Sequence, residues 1–317
     1  FILLGIGMLY IVTGTLNIVD IAERLQAVGP NRTVLVALAC IGVGTGIKLA
    51  LFPLHSWLPD AYTYAPAVVT AFLAATATKV AIYVMLRMFF TIFGAEFSFD
   101  TMELNYILMP LALVGVVSAS VAAIFQDNVK RMLAYSSVAQ IGYIILGISL
   151  VSVTGLTAGL VHLFNHALMK GTLFMALGCV SFQVGTSNIE GMAGLGKTMP
   201  WTMAAFVIGG LSLIGVPLTA GFISKWYLIL GALEQDLWPV ALLVLFTSLL
   251  ALIYIWRVVE MAYFRPAPEG RTVREAPLAL LLPTWTLALA NLYFGLNTSL
   301  SAGVAREAAQ TLLGAAP

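Results

Sequence analysis

Residues 157–184 read TAGLVHLFNHALMKGTLFMALGCVSFQV, an apolar run long enough to cross a lipid bilayer as one helix. His162, His166 and Lys170 lie four residues apart within it. This spacing places the three side chains on one face of a helix, about 6 Å apart along its axis. Imidazole titrates nearest to neutral pH, so such a column is typical of a proton relay. The alternative interpretation is that the two histidines hydrogen-bond neighbouring helices as packing contacts.

The composition extends this apolar character to the whole chain. Of the 317 residues, 61% are hydrophobic and 9% are charged, whereas soluble domains carry about 25% charged residues. The net charge of +1 provides no field that would attract nucleic acid or an acidic partner. These values exclude a soluble enzyme or binding domain and predict an all-α integral membrane protein in contact with the lipid bilayer.

Runs of membrane-spanning length predict about nine spans. They lie near 1–16, 34–52, 67–93, 105–126, 132–151, 157–184, 200–231, 239–263 and 277–297. We therefore predict one polytopic helix bundle over residues 1–297 and a C-terminal tail over residues 298–317. Phe1 begins inside an apolar run without a basic region or cleavage site, so this run is not interpreted as a signal peptide. The chain is interpreted instead as an N-terminally truncated fragment of a longer membrane protein.

Basic residues in the short loops predict the orientation of the bundle. Under strict alternation of the spans, the loops near 127–131, 185–199 and 264–276 share one side and carry most of the loop Lys and Arg residues. The loops near 96–103 and 234–236 lie on the other side and carry only acidic charges. The first side is therefore predicted to be cytoplasmic, in a cell (inner) membrane, with the C-terminus outside.

Two of the predicted spans contain helix-breaking sequences. The second span runs into FPLHSWLPD at residues 52–60, and the seventh contains GVPLTAG at residues 215–221. Proline removes a backbone donor, and the carbonyls that it frees inside a bilayer must be satisfied by protein or water. Broken helices at corresponding places in two halves indicate an ion or substrate site, although a packing kink explains either break alone equally well.

Four of the six lysines lie within apolar stretches, at Lys48, Lys79, Lys170 and Lys225. A lysine at the centre of a membrane helix costs about 2.5–3.5 kcal/mol on insertion scales. Lysine, unlike arginine, readily changes its protonation state when buried, which suits groups that load and release protons. Snorkelling to the headgroups is the alternative for Lys48 and Lys225, which lie close to the breaks, and it fits Lys79 less well.

The sequence offers no site for a cofactor or a metal ion. Cys40 and Cys179 lie singly in apolar runs and are interpreted as small buried thiols. Leu163 stands where a zinc-protease motif needs glutamate, and two histidines on one helix face cannot ligate a haem from both sides. The segment GLGKT at 194–198 lacks the first glycine of a phosphate-binding loop.

Five strings, in this order, resemble the proton-conducting antiporter family. They are FPLHSWLPDAY (52–62), ATKVAIYVMLR (77–87), DNVKRMLAYSSVAQIGYI (127–144), HLFNHALMKGTLF (162–174) and GVPLTAGFISKW (215–226). The family comprises the antiporter-like subunits of respiratory complex I, the membrane-bound hydrogenases and the Mrp-type cation/proton antiporters. The resemblance implies a subunit of about 14 helices with inverted five-helix repeats, each containing a broken helix.

The resemblance also implies a path for protons along the membrane plane. Lys48 corresponds to the lysine of the first broken helix, which the family pairs with a glutamate two helices upstream. Lys79 corresponds to the lysine of the next helix, and Lys225 to the terminal residue of the second broken helix. His162, His166 and Lys170 fall on the helix that connects the two halves, and Lys225 is expected to release the proton outside. Five further residues are weaker candidates for this path and are expected to be more structural, and we call them the second tier: His55, Asp60, Tyr135, Ser136 and Gln140.

The expected function is therefore that of a proton-translocating subunit in a multisubunit membrane complex, with other membrane subunits as partners. The strings lie slightly closer to the D-like subunit of the Mrp-type antiporters, which implies exchange of Na⁺ or K⁺ for protons. The alternative is a proton-pumping subunit of complex I or a membrane-bound hydrogenase, where the driving force comes from a redox partner. Two rivals from other classes are a passive structural subunit, which needs no buried lysine, and an organic-solute transporter, which the order of the motifs disfavours.

Overall fold

The computed structural model describes residues 1–314 and confirms the predicted fold class. Within this range the chain is helical and has no strand, and its helices pack side by side as a bundle. The helices are α1 (Ile2–Thr13), α2 (Ile18–Val28), α3 (Arg32–Leu49), α4 (Trp57–Tyr64), α5 (Ala67–Leu86), α6 (Asn105–Ile124), α7 (Val129–Ser149), α8 (Val153–Val184), α9 (Leu195–Thr198), α10 (Pro200–Ile214), α11 (Ala220–Leu233), α12 (Trp238–Phe264), α13 (Leu278–Leu296) and α14 (Ser299–Leu312). Two π-helical segments, Arg87–Ile92 and Glu96–Thr101, follow α5, and a 3₁₀ turn, Ile189–Met192, precedes α9.

Seven of the described helices are individually long and apolar enough to cross a membrane, and bent pairs raise the number to nine. Helix α1 is bent from α2 by 62°. The helix starts follow from the sequence, because Asn31, Asn128 and Ser152 each accept a hydrogen bond from a backbone N–H in the first turn of α3, α7 and α8.

Both predicted breaks are present. Helix α3 ends at Leu49 and is capped by Ala50, whose φ of 62° is left-handed, and α4 begins at Trp57. Helix α10 ends at Ile214 and is capped by Gly215, whose φ of 90° suits a residue without Cβ, and α11 begins at Ala220. Four crossings, by α5, α6, α7 and α8, separate the two broken helices, so α3–α4 and α10–α11 cross the bundle in opposite directions. This is the inverted arrangement that the resemblance implied.

Helix α8 occupies the centre of the bundle. At about 1.5 Å per residue it is longer than one bilayer crossing requires. It packs against α5, α7, α10, α11, α13 and α14. Its partner α7 is almost wholly buried from Met132 onward. The fully buried polar side chains on α7 and α8 therefore meet other helices and not lipid.

The loops assigned to one side of the bundle lie together at one end. Val129 N–H donates to the Ser187 carbonyl at 2.7 Å, and Ile189 N–H donates to the Asp127 carbonyl at 2.8 Å. Arg271 Nη2 donates to the Gly191 carbonyl at 2.7 Å. These bonds join the three loops that carry most of the loop Lys and Arg residues, as strict alternation of the spans requires.

The segment interpreted as a tail contains helix α14, which packs against α8. Ala302 and Ala305 are buried against Val161, and Ala309 is fully buried. Small side chains let two helix backbones approach closely, which explains how a mildly polar segment packs on the bundle. The rest of the predicted tail, residues 315–317, lies outside the described part of the chain.

Candidate functional site

The column on α8 is buried in the centre of the bundle. His162 is 2% exposed, and His166 and Lys170 are fully buried. The two imidazole rings are nearly parallel, with centroids 6.2 Å apart and an interplanar angle of 11°. The four-residue spacing that the sequence displays is therefore realised as a stack of polar groups inside the protein.

Both ring nitrogens of His162 have partners on neighbouring helices. Nε2 lies 2.9 Å from Gln140 Oε1 on α7, and Nδ1 lies 2.7 Å from Ser224 Oγ on α11. The Ser224 hydroxyl is also within 3.1 Å of the Gly221 carbonyl. A neutral imidazole accepts from Ser224 at Nδ1, whereas an imidazolium donates to the same oxygen while the hydroxyl turns to Gly221. This site therefore has hydrogen-bond partners for either protonation state of His162.

His166 differs from His162, because neither of its ring nitrogens has a hydrogen-bond partner among the residues that the structure describes. A fully buried polar group without a partner is costly. His166 lies between His162 and Lys170 in the column, so the unsatisfied ring belongs to the polar row.

Lys170 reaches from α8 to α7. Its Nζ donates to the Leu133 carbonyl at 2.8 Å and forms a short hydrogen bond to Ser136 Oγ. Both acceptors are neutral. Ser136 and Gln140 lie four residues apart on α7, so one face of α7 contacts both Lys170 and His162.

Lys79 approaches the column from α5 and is 7% exposed. Its amine folds back along its own helix and donates to the Ala74 carbonyl in a short hydrogen bond. The next residue, Ala75, lies against Gly171 of α8, with 3.9 Å between the Ala75 Cβ and an ideal Cβ at Gly171. The carbonyl that holds the Lys79 amine therefore belongs to the turn of α5 that packs against α8.

Lys225 lies on α11 at the second break and is 5% exposed. Its Nζ donates to the carbonyls of Leu213 and Ile214, at 3.1 and 2.8 Å, and to Ser248 Oγ at 3.0 Å. The two carbonyls belong to the last turn of α10 and have no intrahelical partner. The ammonium therefore caps the end of α10 and uses all three of its donors on neutral acceptors.

Polar side chains also satisfy the backbone at the start of α11. Ser212 Oγ accepts from the Gly221 N–H at 3.1 Å, and Asn165 Nδ2 donates to the Ala220 carbonyl at 2.7 Å. Asn165 lies on α8 between the two histidines. The broken helix and the column are thus linked by hydrogen bonds inside the bundle.

The remaining predicted residues do not join this buried set. Lys48 is exposed and lies near Phe1, Ile2 and Trp57 on the outer face of α3. Asp60 is exposed and pairs with Arg131 at 3.3 Å near the end of the bundle. The two other second-tier residues outside the set are half-buried: His55 stacks on Phe52, with ring centroids 5.3 Å apart, and Tyr135 packs at the edge of the core. Of the second tier, Ser136 and Gln140 alone contact the column.

Among the described residues, three side chains that contact the buried histidines and lysines lie outside the set predicted from sequence: Tyr143, Ser224 and Ser248. Tyr143 follows Gln140 by three residues and Ser136 by seven, so a helical-face pattern on α7 would have found it. Ser224 directly precedes Lys225. Ser248 lies in a span without any other signal, and only the three-dimensional packing of α12 against α11 brings it to Lys225.

Comparison with known proteins places this geometry in a family. The family model described as NADH:quinone oxidoreductase/Mrp antiporter, TM, matches residues 1–251. The chain is 43% identical over 309 residues to NADH-quinone oxidoreductase subunit N of Desulforudis audaxviator, covering 93% of this chain and 61% of that protein. It is 30% identical over 315 residues to the D-type Na(+)/H(+) antiporter subunit of Bacillus subtilis, covering 98% of this chain and 62% of that protein.

A solved structure shares the fold. A chain of the Mrp complex from Dietzia sp. DQ12-45-1b superposes with a TM-score of 0.89 at 27% identity, covering 99% of this chain and 66% of that chain. The chain thus spans about three fifths to two thirds of the length of the proteins that it matches. The family match over residues 1–251 shows that the chain belongs to the transmembrane family of NADH:quinone oxidoreductase and Mrp antiporter subunits.

Proposed function

We propose that the chain is a proton-translocating, antiporter-like subunit of a multisubunit membrane complex, with other membrane subunits as its partners. The observation that carries this proposal is the row of buried ionisable side chains across the centre of the bundle. Its members are Lys79, His162, His166, Lys170 and Lys225. They belong to three helices, α5, α8 and α11, so the row crosses the bundle from one half to the other.

The partners of these side chains are neutral. Within residues 1–314 the ion pairs are Asp60–Arg131, Asp127–Arg257 and Glu260–Arg265, and none involves the buried row. A lysine paired with a carboxylate is held in its charged form. Carbonyl and hydroxyl acceptors leave the amine free to give up a proton. A proton relay needs this property, whereas a purely structural lysine does not.

The proposed transfer runs along the row from Lys79 through the α8 column to Lys225, which then releases the proton to the outer side. Water in the broken-helix regions is proposed to bridge the gaps between side chains. Lys48 is proposed as the residue that starts the transfer, with the carboxylate partner that the family resemblance implies. Its exposed amine beside Phe1 and Trp57 leaves room for such a partner.

The driving force is the finer part of the proposal. Exchange of Na⁺ or K⁺ for protons is supported by the sequence strings and by the TM-score of 0.89 to a chain of the Mrp complex. Coupling to a redox partner is supported by the higher identity to NADH-quinone oxidoreductase subunit N, 43% against 30% for the antiporter subunit. We favour the redox-linked form, because identity over nearly the same span is the closer measure of relatedness.

The proposal is tested by proton transport in proteoliposomes that contain the full-length protein with its native partner subunits. Lys225→Ala is compared with wild type and with Lys197→Ala, a matched control at an exposed loop lysine. Removing a proton-transfer group commonly costs a hundredfold or more, so we expect the Lys225 variant to lose at least about tenfold in rate. Wild-type rates in an assembled Lys225→Ala complex would overturn the proposal.

The same vesicles separate the two driving forces. An imposed sodium or potassium gradient drives proton movement in the exchanging form, whereas a quinone-linked electron donor drives it in the redox-linked form. We expect the electron donor to drive proton movement. Movement driven by the cation gradient alone would replace the redox-linked form with Mrp-type antiport.

A further inference from the structure

Tyr143 contacts both the α8 column and the lysine of the second break. It lies on α7 and is 1% exposed. Its ring packs edge-to-face with the imidazole of His162, with centroids 5.6 Å apart and an interplanar angle of 77°. The Lys225 amine lies over the ring of Tyr143, 5.0 Å from the centroid. The ring thus lies against a titratable group of the column and the cation of the break.

The hydroxyl of Tyr143 is bound elsewhere. It lies 2.7 Å from Thr247 Oγ1 on α12, and Thr247 in turn donates to the Leu243 carbonyl at 2.7 Å. The next residue, Ser248, accepts a hydrogen bond from Lys225. Thr247 and Ser248, two successive residues of α12, therefore bind the Tyr143 hydroxyl and the Lys225 amine. The face of the Tyr143 ring contacts the same amine.

The hydrogen-bond partners of His162 and Lys225 do not overlap in the described part of the chain. His162 contacts Gln140 and Ser224, whereas Lys225 contacts two α10 carbonyls and Ser248. The ring of Tyr143 touches both groups. Its contact with Lys225 is made by the aromatic face, which attracts a cation through the ring quadrupole, most strongly where water is excluded.

We propose that Tyr143 is a positioning residue for Lys225, whose ring face holds the lysine ammonium at the end of α10 between proton transfers. This inference rests on the proposed function, because it assigns Tyr143 a part in proton transfer through Lys225. The ring contact adds to three neutral hydrogen bonds and supplies attraction without a carboxylate, so the amine is held in place and can still release its proton.

The inference is tested by weakening the ring quadrupole at constant shape. Phenylalanine, 4-fluorophenylalanine and 3,4,5-trifluorophenylalanine are placed at position 143 of the full-length protein in its native complex. Because fluorine withdraws electron density from the ring face, we expect the proton-transport rate to fall stepwise along the series. Tyr143→Phe is expected to keep at least about half of the wild-type rate, and Tyr143→Leu to lose several-fold, since leucine lacks a π face.

The same series at Phe206, a buried aromatic residue of α10, is the matched control and should be flat. A flat or rising series at position 143 would overturn the inference. The fluorinated residues are close to isosteric, so they decide the question even where Tyr143→Leu fails to assemble. Lys225→Ala, measured in parallel, separates the two claims. A flat series with an inactive Lys225→Ala variant refutes the role of Tyr143 alone, whereas an active Lys225→Ala variant refutes the proposed function.

Discussion

The imidazole of His162 has both nitrogens occupied by neutral side chains, Gln140 on one side and Ser224 on the other. At the scale of single residues, this pairing provides a hydrogen-bond partner for either protonation state that the proposed relay requires of His162. The Ser224 hydroxyl has two alternative acceptors, His162 Nδ1 and the Gly221 carbonyl, so its rotation accompanies any change of charge on the ring.

We expect Ser224→Ala to weaken both stability and transport. The substitution leaves Nδ1 of a buried imidazole without a partner, which costs about 1–3 kcal/mol of folding free energy. Thermal unfolding of the purified protein and proton transport in proteoliposomes measure the two effects. Ser224→Thr keeps the hydroxyl and is the control. If Ser224→Ala transports protons at the rate of the threonine variant, the hydroxyl has no part in the relay.

The lysines show how far residue-level prediction reaches. Lys79, Lys170 and Lys225 stand out in the sequence because charged residues in apolar runs are costly, and all three are buried in the structure. The same reasoning selects Lys48, which is exposed. Hydropathy indicates whether a residue lies within a membrane span, but it does not indicate which face of the helix packs against other helices. The burial of these lysines could therefore not be predicted from hydropathy.

The broken helix α10–α11 is held together by side chains at both of its inner ends. Lys225 caps the carbonyls at the end of α10, and Ser212 and Asn165 satisfy the start of α11. At the scale of elements, the proline and glycines at 215–221 predicted the break. They did not predict its closure by an amine, because that contact depends on how the start of α11 packs against the end of α10.

We expect Gly221→Ala to disrupt this break. An ideal Cβ at Gly221 lies 1.8 Å from the Ser212 carbonyl oxygen, so α10 and α11 must move apart. Overpacking of this kind costs about 1–3 kcal/mol or more. Thermal unfolding of the detergent-solubilised complex measures the loss, and transport should fall with it.

Gly7→Ala is the matched control for the Gly221 variant, since an ideal Cβ at Gly7 of α1 has no atom within 4 Å. Alanine favours a helix by up to about 1 kcal/mol over glycine, so this variant should be as stable as wild type or more so. Equal melting temperatures for the two alanine variants would contradict the close contact between α10 and α11 at Gly221.

At the scale of the whole molecule, the loops divide into two groups at opposite ends of the bundle. The end with most of the loop Lys and Arg residues is joined by backbone bonds between residues 127–129 and 187–189. At the other end, Gln235 donates to the Leu150 carbonyl and Thr154 donates to Glu234. The order of the spans could be predicted from the sequence, because each apolar run has a length that fits one membrane crossing. The packing of helix α14 on the bundle could not be predicted, because its small residues give only a weak apolar signal.

The basic end is expected to face the cytoplasm. The orientation is measured with two single-cysteine variants, Lys197→Cys and Asp236→Cys, whose positions are exposed and lie at opposite ends of the bundle. The native cysteines, Cys40 and Cys179, are first changed to serine. A membrane-impermeant thiol reagent added to intact cells should label Asp236→Cys and spare Lys197→Cys. Labelling of Lys197→Cys alone would reverse the orientation and place the C-terminus inside.

The central claim is that the buried row from Lys79 to Lys225 carries protons, and Lys170 is a fully buried member of that row. The most direct test is the initial rate of proton transport by the full-length Lys170→Met protein, assembled with its native partners in proteoliposomes. Methionine fills a similar volume without an ionisable group, so we predict intact assembly and a rate at least about tenfold below wild type. A wild-type rate in the assembled Lys170→Met complex would contradict the claim, because protons would then cross the bundle without Lys170.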